Sequence, residues 1–172
     1  GMLDINYQES NIVHEEMPSP TLTQQVRQAL GDQGADFQAG PHSGDRAPNV
    51  LFLDEKGAAH SLVNYFYGTR HTLLLFAGRS DRRPSPALQQ IQTLVAQRYA
   101  GVINCYVVTT TLLPADDWAG QVIVNTDSAL HRRYGAGAEA LYLIRPDHHI
   151  GYRSQPVSVE KFAAYLAELL YT

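Results

Sequence analysis

A chain of 172 residues, 44% hydrophobic and 17% charged, holds enough apolar material for one ordinary hydrophobic core and reads as a single compact domain with an appendage. Thirteen Lys and Arg against seventeen Asp and Glu leave a formal net charge of -4, which argues against general binding to nucleic acid or to anionic membranes while allowing a local basic patch. The one cysteine, Cys105, excludes an intrachain disulfide, and without a signal-like start or an apolar run of bilayer length the expected location is cytoplasmic.

Gly1 ahead of Met2 reads as a remnant of tag cleavage and is left out of the fold. Leu3 to Val13 alternates loosely through Leu3, Ile5 and Tyr7, as an extended arm would. Ser19-Pro20 opens a short helical pattern with Leu22, Val26, Ala29 and Leu30 on one side and Gly31 as its stop. Gly34 to Arg46, rich in Gly, Asp, Ser and Pro, is expected to be loop. Residues 1–43 are therefore expected to form an arm, a short helix and a loop, and residues 44–172 the compact domain.

Within that domain Val50 to Leu53 predicts a short strand, Asp54 to Gly57 a turn, and Ala58 to Leu62 the returning arm of a hairpin. A helical turn follows over Leu62 to Phe66, and His71 to Phe76 is apolar enough for a strand covered on both faces. Ser85-Pro86 caps a helix whose Leu88, Ile91, Leu94 and Val95 share a stripe. Val102 to Val108 predicts a second fully buried strand and Gln121 to Val124 a short third one. Tyr134-Gly135 closes a short helix, Ala140 to Arg145 is a buried strand, Pro146 to His149 a turn, and Ile150 to Arg153 an edge strand. The last helix has Ser158 as cap and Glu160 in its first turn, with Phe162, Leu166 and Leu169 along one face.

Strands alternating with helices, closed by an antiparallel hairpin, imply an α/β fold of the thioredoxin-like class in its peroxiredoxin-like variant, a mixed central sheet flanked by helices. Such folds do thiol chemistry from a cysteine that follows the first central strand. Here that stretch reads Gly78-Arg79-Ser80-Asp81-Arg82-Arg83-Pro84, and it contains no cysteine and no CxxC.

Gly44-Asp45-Arg46-Ala47-Pro48-Asn49, Leu53-Asp54 with Gly57, Leu73 to Gly78, and Tyr134-Gly135 followed by Leu141 to Asp147 and Ile150 to Arg153 form a combination. It resembles the C-terminal domain of the FAD-dependent aromatic-ring hydroxylases, flavoproteins of the phenol-hydroxylase and chlorophenol-monooxygenase type. The resemblance covers roughly residues 44 to 170. It implies a structural role in subunit packing, with FAD and the aromatic substrate held by a separate part of the protein. No Gly-x-Gly-x-x-Gly occurs in this chain, and the nearest candidate, Gly135-Ala136-Gly137-Ala138, stands between a helix end and a strand rather than between a strand and a helix start. No flavin-binding residue is carried over.

The residues that could carry chemistry have plainer readings. Cys105 lies inside an apolar strand, where a thiol is inert. Ser80 and Ser85 stand where a nucleophile would be, but a serine needs a positioned base, and Ser85 reads as a helix cap. The seven histidines, including the adjacent His148-His149, form no metal pattern. Arg79, Arg82 and Arg83 cluster before a helix start, where positive charge opposes the helix dipole, so a negative group is expected beside them: Asp81, another subunit or a bound anion. Arg132-Arg133 calls for the same reading.

The functional expectation is a non-catalytic accessory or dimerisation domain with no catalytic, cofactor or metal residues of its own. The rivals are a divergent peroxiredoxin-like oxidoreductase and a free-standing dimeric binding module. Tyr65, Tyr67, Tyr99 and Tyr171 near element ends, together with the Leu3 to Val13 arm, point to a homodimer.

Overall fold

The computed structural model describes residues 4–5, 14–16, 32–80 and 83–171. In chain order its elements are β1 (Asp4–Ile5), β2 (His14–Glu16), α1 (Asp32–Ala39), β3 (Leu51–Leu53), β4 (Ala59–Ser61) and a 3-10 turn at Leu62–Tyr65. These are followed by β5 (His71–Phe76), α2 (Pro86–Arg98), β6 (Ile103–Thr109), a 3-10 turn at Ala115–Asp117, β7 (Gln121–Val124) and α3 (Ala129–Arg133). The chain ends on β8 (Ala140–Ile144), β9 (Ile150–Ser154), α4 (Val159–Leu169) and β10 (Leu170–Tyr171). The predicted helix from Ser19 through Leu22, Val26, Ala29 and Leu30 to Gly31 lies outside the described residues, as does most of the Leu3 to Val13 arm.

Six strands form a mixed sheet in the order β2-β9-β8-β5-β6-β7. β5, β6 and β7 run parallel, β8 is antiparallel to β5, β9 is antiparallel to β8, and β2 lies parallel to β9. Every residue of β5, β6, β8 and β9 is buried, so the period of two sorts side chains between two cores. Leu73, Leu75, Cys105, Val107, Leu141, Leu143 and Tyr152 face α2 and α4, which contribute Leu88, Ile91, Val95, Phe162 and Leu166. Leu74, Phe76, Tyr106, Val108, Tyr142 and Ile144 face the other way, toward Phe37 of α1, Phe52 of the β3–β4 hairpin, and Leu130 and Tyr134 at α3.

Three expectations are corrected. Gly34 to Arg46 is not loop throughout, because α1 occupies its first part. A helix of that composition is weak alone and is held by packing: the Phe37 ring is buried, edge-on to Tyr142 at 5.8 Å. Gly135, at φ 63, lets α1 approach, since a Cβ there would stand 2.3 Å from the Asp36 carbonyl oxygen. The second correction is at β9, which is not an edge. β2 pairs along it, and the His14 ring packs against those of Tyr152 and Tyr165. The third concerns Tyr99, which ends α2 inside the core at 2% exposure rather than on a free surface.

Arg153 ties the early segment to the sheet. Its side chain is fully buried, donates from Nη1 to the Phe37 carbonyl at 2.7 Å, lies 4.1 Å above the Phe37 ring, and brings Nε within 3.3 Å of Glu15. One guanidinium thus joins α1, β2 and β9.

Candidate functional site

In a parallel α/β sheet, ligands and reactive groups collect where a strand ends and its helix begins. Here that place is the turn between Phe76 of β5 and Pro86 of α2. The Ala77 N–H donates to Val108 and the Arg79 N–H to Gly137, so the turn is pinned from β6 and from the segment leading into β8. Ser85 is the N-cap of α2, accepting from the Leu88 N–H through its hydroxyl. The same hydroxyl donates to Glu139 Oε1 at 2.7 Å, and the Ser85 N–H donates to Oε2 at 3.1 Å. A built-in carboxylate therefore occupies the start of the central helix, where the dipole and free N–H groups would otherwise stabilise a thiolate or an external anion.

This carboxylate is one negative group at the start of α2. Arg83 finds another one, its Nε lying 3.3 Å from Asp117 in the 3-10 turn before β7. Asp81 and Arg82 lie outside the described residues. The structure separates Arg79 from Arg83 and brings it instead to Arg132 and Arg133, all three lining one cleft of about 440 Å3 with Asp36, Gly40, Gly135 and Gly137. Arg132 Nη1 donates to the Asp127 carbonyl.

His131 forms a wall of that cleft and was not singled out by sequence. It is buried, with Nε2 donating to the Ala77 carbonyl at 2.7 Å and Nδ1 accepting from Asn125 Nδ2 at 3.1 Å. Burial, reinforced by the Arg79 charge and partly offset by the Ala77 hydrogen bond, takes its pKa down to about 4. Asn125 also accepts from the Leu130 N–H and donates to the Thr109 carbonyl, which satisfies one free N–H in the first turn of α3. With both ring nitrogens engaged, His131 holds the turn in place and has no lone pair for proton transfer. Residues 77, 125 and 131 meet, and Ser85 meets Glu139, only because β5, β6, β7 and β8 lie side by side, a juxtaposition with no linear signature.

The remaining candidates sit in surroundings that do not activate them. Cys105 is 8% exposed in β6, and burial pushes its thiol up to about 12. Ser80 is exposed. Ser85 faces a carboxylate with no imidazole behind it, too weak a base to activate a hydroxyl. His148 and His149 have different ring partners: the His148 ring packs edge-on to Phe66, and His149 Nδ1 lies 3.2 Å from the Asp147 carbonyl oxygen. Among the described residues no three His, Cys, Asp or Glu side chains converge as metal ligands, and no helix is long and apolar enough to cross a membrane.

Solved structures similar to this chain include a thiol peroxidase from Chromobacterium violaceum, 13% identical over 75% of this chain and 88% of that one, with a TM-score of 0.55. A peroxiredoxin-like protein from Aquifex aeolicus is 13% identical over 76% and 88%, with a TM-score of 0.54. A thiol:disulfide interchange protein from Bacteroides sp. is 16% identical over 75% and 91%, with a TM-score of 0.51. Neither a family model nor a curated protein matches the chain. The fold is thus thioredoxin-like, of the α/β class, with a mixed central sheet flanked by helices. Within that fold this chain has one buried cysteine and no CxxC.

Proposed function

We propose that the chain is a non-catalytic accessory and dimerisation module of the kind found at the C-terminus of FAD-dependent aromatic-ring hydroxylases, with FAD held by a separate flavin-binding part and none in this chain. The observation that carries the reading is the Ser85–Glu139 pair at the start of α2, which fills with an internal cap the place where thiol chemistry would need a cysteine. The sequence combination from Gly44-Asp45 through Ile150-Gly151 supports the hydroxylase kinship. A homodimer is part of the proposal. Its support is a set of exposed apolar side chains, Leu51, Leu53, Tyr67, Leu112 and Val122, of which Leu112 and Val122 share a cleft with Phe52 of the hairpin. The arm gives less support than expected, because the backbone of β1 pairs with β10 of the same chain.

The experiment is a set of assays on the purified chain. We expect no visible flavin band, no peroxide consumption, no disulfide reduction, and a dimer by light scattering at tens of micromolar. A peroxidase activity abolished by Cys105→Ser would favour the divergent oxidoreductase instead. A monomer unaffected by Val122→Asp would remove the dimerisation role. The third reading, a free-standing binding module, is favoured by the basic cleft at Arg79, Arg132 and Arg133.

A further inference from the structure

In the cleft beneath the β5–α2 turn, unneutralised positive charge gathers around a cavity. Arg83, Arg145 and Arg153 each stand within ion-pair distance of a carboxylate. Arg79 and Arg133 have no such partner among the described residues, yet both line the same cavity although 54 residues separate their neighbours Ala77 and His131, which a hydrogen bond joins across its wall. The C-terminal dipole of α3 explains cations at Arg132 and Arg133, since both lie in its last turn. It does not explain Arg79, which arrives from the end of a different strand. In a chain of net charge -4, this local excess runs against the average.

Charge and size define what fits. Three guanidiniums against the single carboxylate of Asp36 leave two positive charges around the cavity. Gly40, Gly135 and Gly137 keep side chains off its lining, and about 440 Å3 is room for more than a bare inorganic ion. Guanidinium forks suit planar or tetrahedral oxyanions through paired N–H donors. His131 contributes a rigid wall rather than a ligand, both its nitrogens being committed to Ala77 and Asn125.

The geometry points to a binding site for a small organic dianion, a phosphate monoester or a dicarboxylate, held by Arg79 and Arg133 with Arg132 beside them. The site stands whether or not the accessory-domain reading holds, because it rests on the cleft and not on the missing thiol.

The test is calorimetric titration of the full chain with adenosine monophosphate and, separately, with succinate, at low and at moderate salt. Binding of at least one is expected, weakening as salt rises. The Arg79→Ala/Arg133→Ala double variant, altered only at exposed residues, should melt as the parent does and lose at least about tenfold in affinity, the loss expected when charge-assisted hydrogen bonds are removed. Arg98→Ala, on the far end of α2, should bind as the parent. A preference between the two ligands assigns the site to phosphates or to dicarboxylates. No heat from either at about 10 mM, or undiminished binding by the double variant, overturns the proposal. So does binding confined to an acidic peptide such as poly-glutamate, which would make the cleft a protein contact.

Discussion

His71 and His131 are both shut away from water, and they differ in what surrounds them. His131 has a partner for each ring nitrogen, whereas neither nitrogen of His71 has one among the described residues. Burial pulls both pKa values down to about 4, with the Arg145 charge adding to the effect at His71 and Asp147 opposing it. An unfolded histidine titrates near 6.5, so between roughly 6.5 and 4 the unfolded chain binds protons that the native chain refuses. Stability from these two sites is therefore complete above about pH 6.5 and falls as the pH drops toward 4, by about 3 kcal/mol at most for each. Urea midpoints measured at pH 7.5 and 4.5 check this. His71→Phe should flatten the slope at little cost at neutral pH, because no hydrogen bond is lost, and an unchanged slope would show that His71 is not a source of it. At this scale the burial of Cys105 and the cap at Ser85 were legible, since each depends on neighbours in sequence. Tyr99 and His131 were not, since their burial comes from strands far away in the chain.

Among the elements, those with their own punctuation were readable. Ser85-Pro86 and Ser158 open α2 and α4 where predicted, and Gly57 turns the hairpin with φ 79. The two elements that sequence missed, α1 and β2, have little local signal: one contains a glycine and few apolar residues, and the other is His14-Glu15-Glu16. Both depend on Arg153. Replacing it with Ala leaves the Phe37 carbonyl without its donor and Glu15 without its buried partner. Glu15 is exposed and keeps His42 and the Ser43 N–H, so the main loss is the charged hydrogen bond to Phe37, about 1.5 to 3 kcal/mol, and it should fall on α1 first. Limited proteolysis of Arg153→Ala is expected to cut between residues 32 and 43 while the sheet resists; equal resistance of that stretch in both proteins would mean that the guanidinium is not its anchor.

For the molecule as a whole, the order of strands and helices in the sequence carried the fold class, because alternating patterns with a closing hairpin admit few right-handed arrangements. The place of a site was half legible. The turn after β5 was found from the missing cysteine, but Glu139, which fills that place, and the meeting of Arg79 with Arg133 depend on how β8 and α3 lie against β5.

The position of β2 at the sheet margin also sets an order of assembly. β5, β6 and β7 follow one another in the chain and β8–β9 needs only a tight turn, whereas β8 reaches β5 over a longer span, from Ala140 back to Phe76, repaid by five paired, fully buried residues. β2 must find β9 from near the other end of the chain, and the contact of Phe37 with Arg153 spans 116 residues. Loop-closure entropy rises slowly with length, but three paired residues return little to offset it. The margin thus docks last and opens first, as a separate low-energy unit. Amide hydrogens at residues 14–16 should exchange well ahead of those in β5, β6 and β8, and uniform protection across the sheet would contradict that order. A cell could then expose the β9 edge, and with it the buried Arg153, at a small fraction of the free energy needed to unfold the rest.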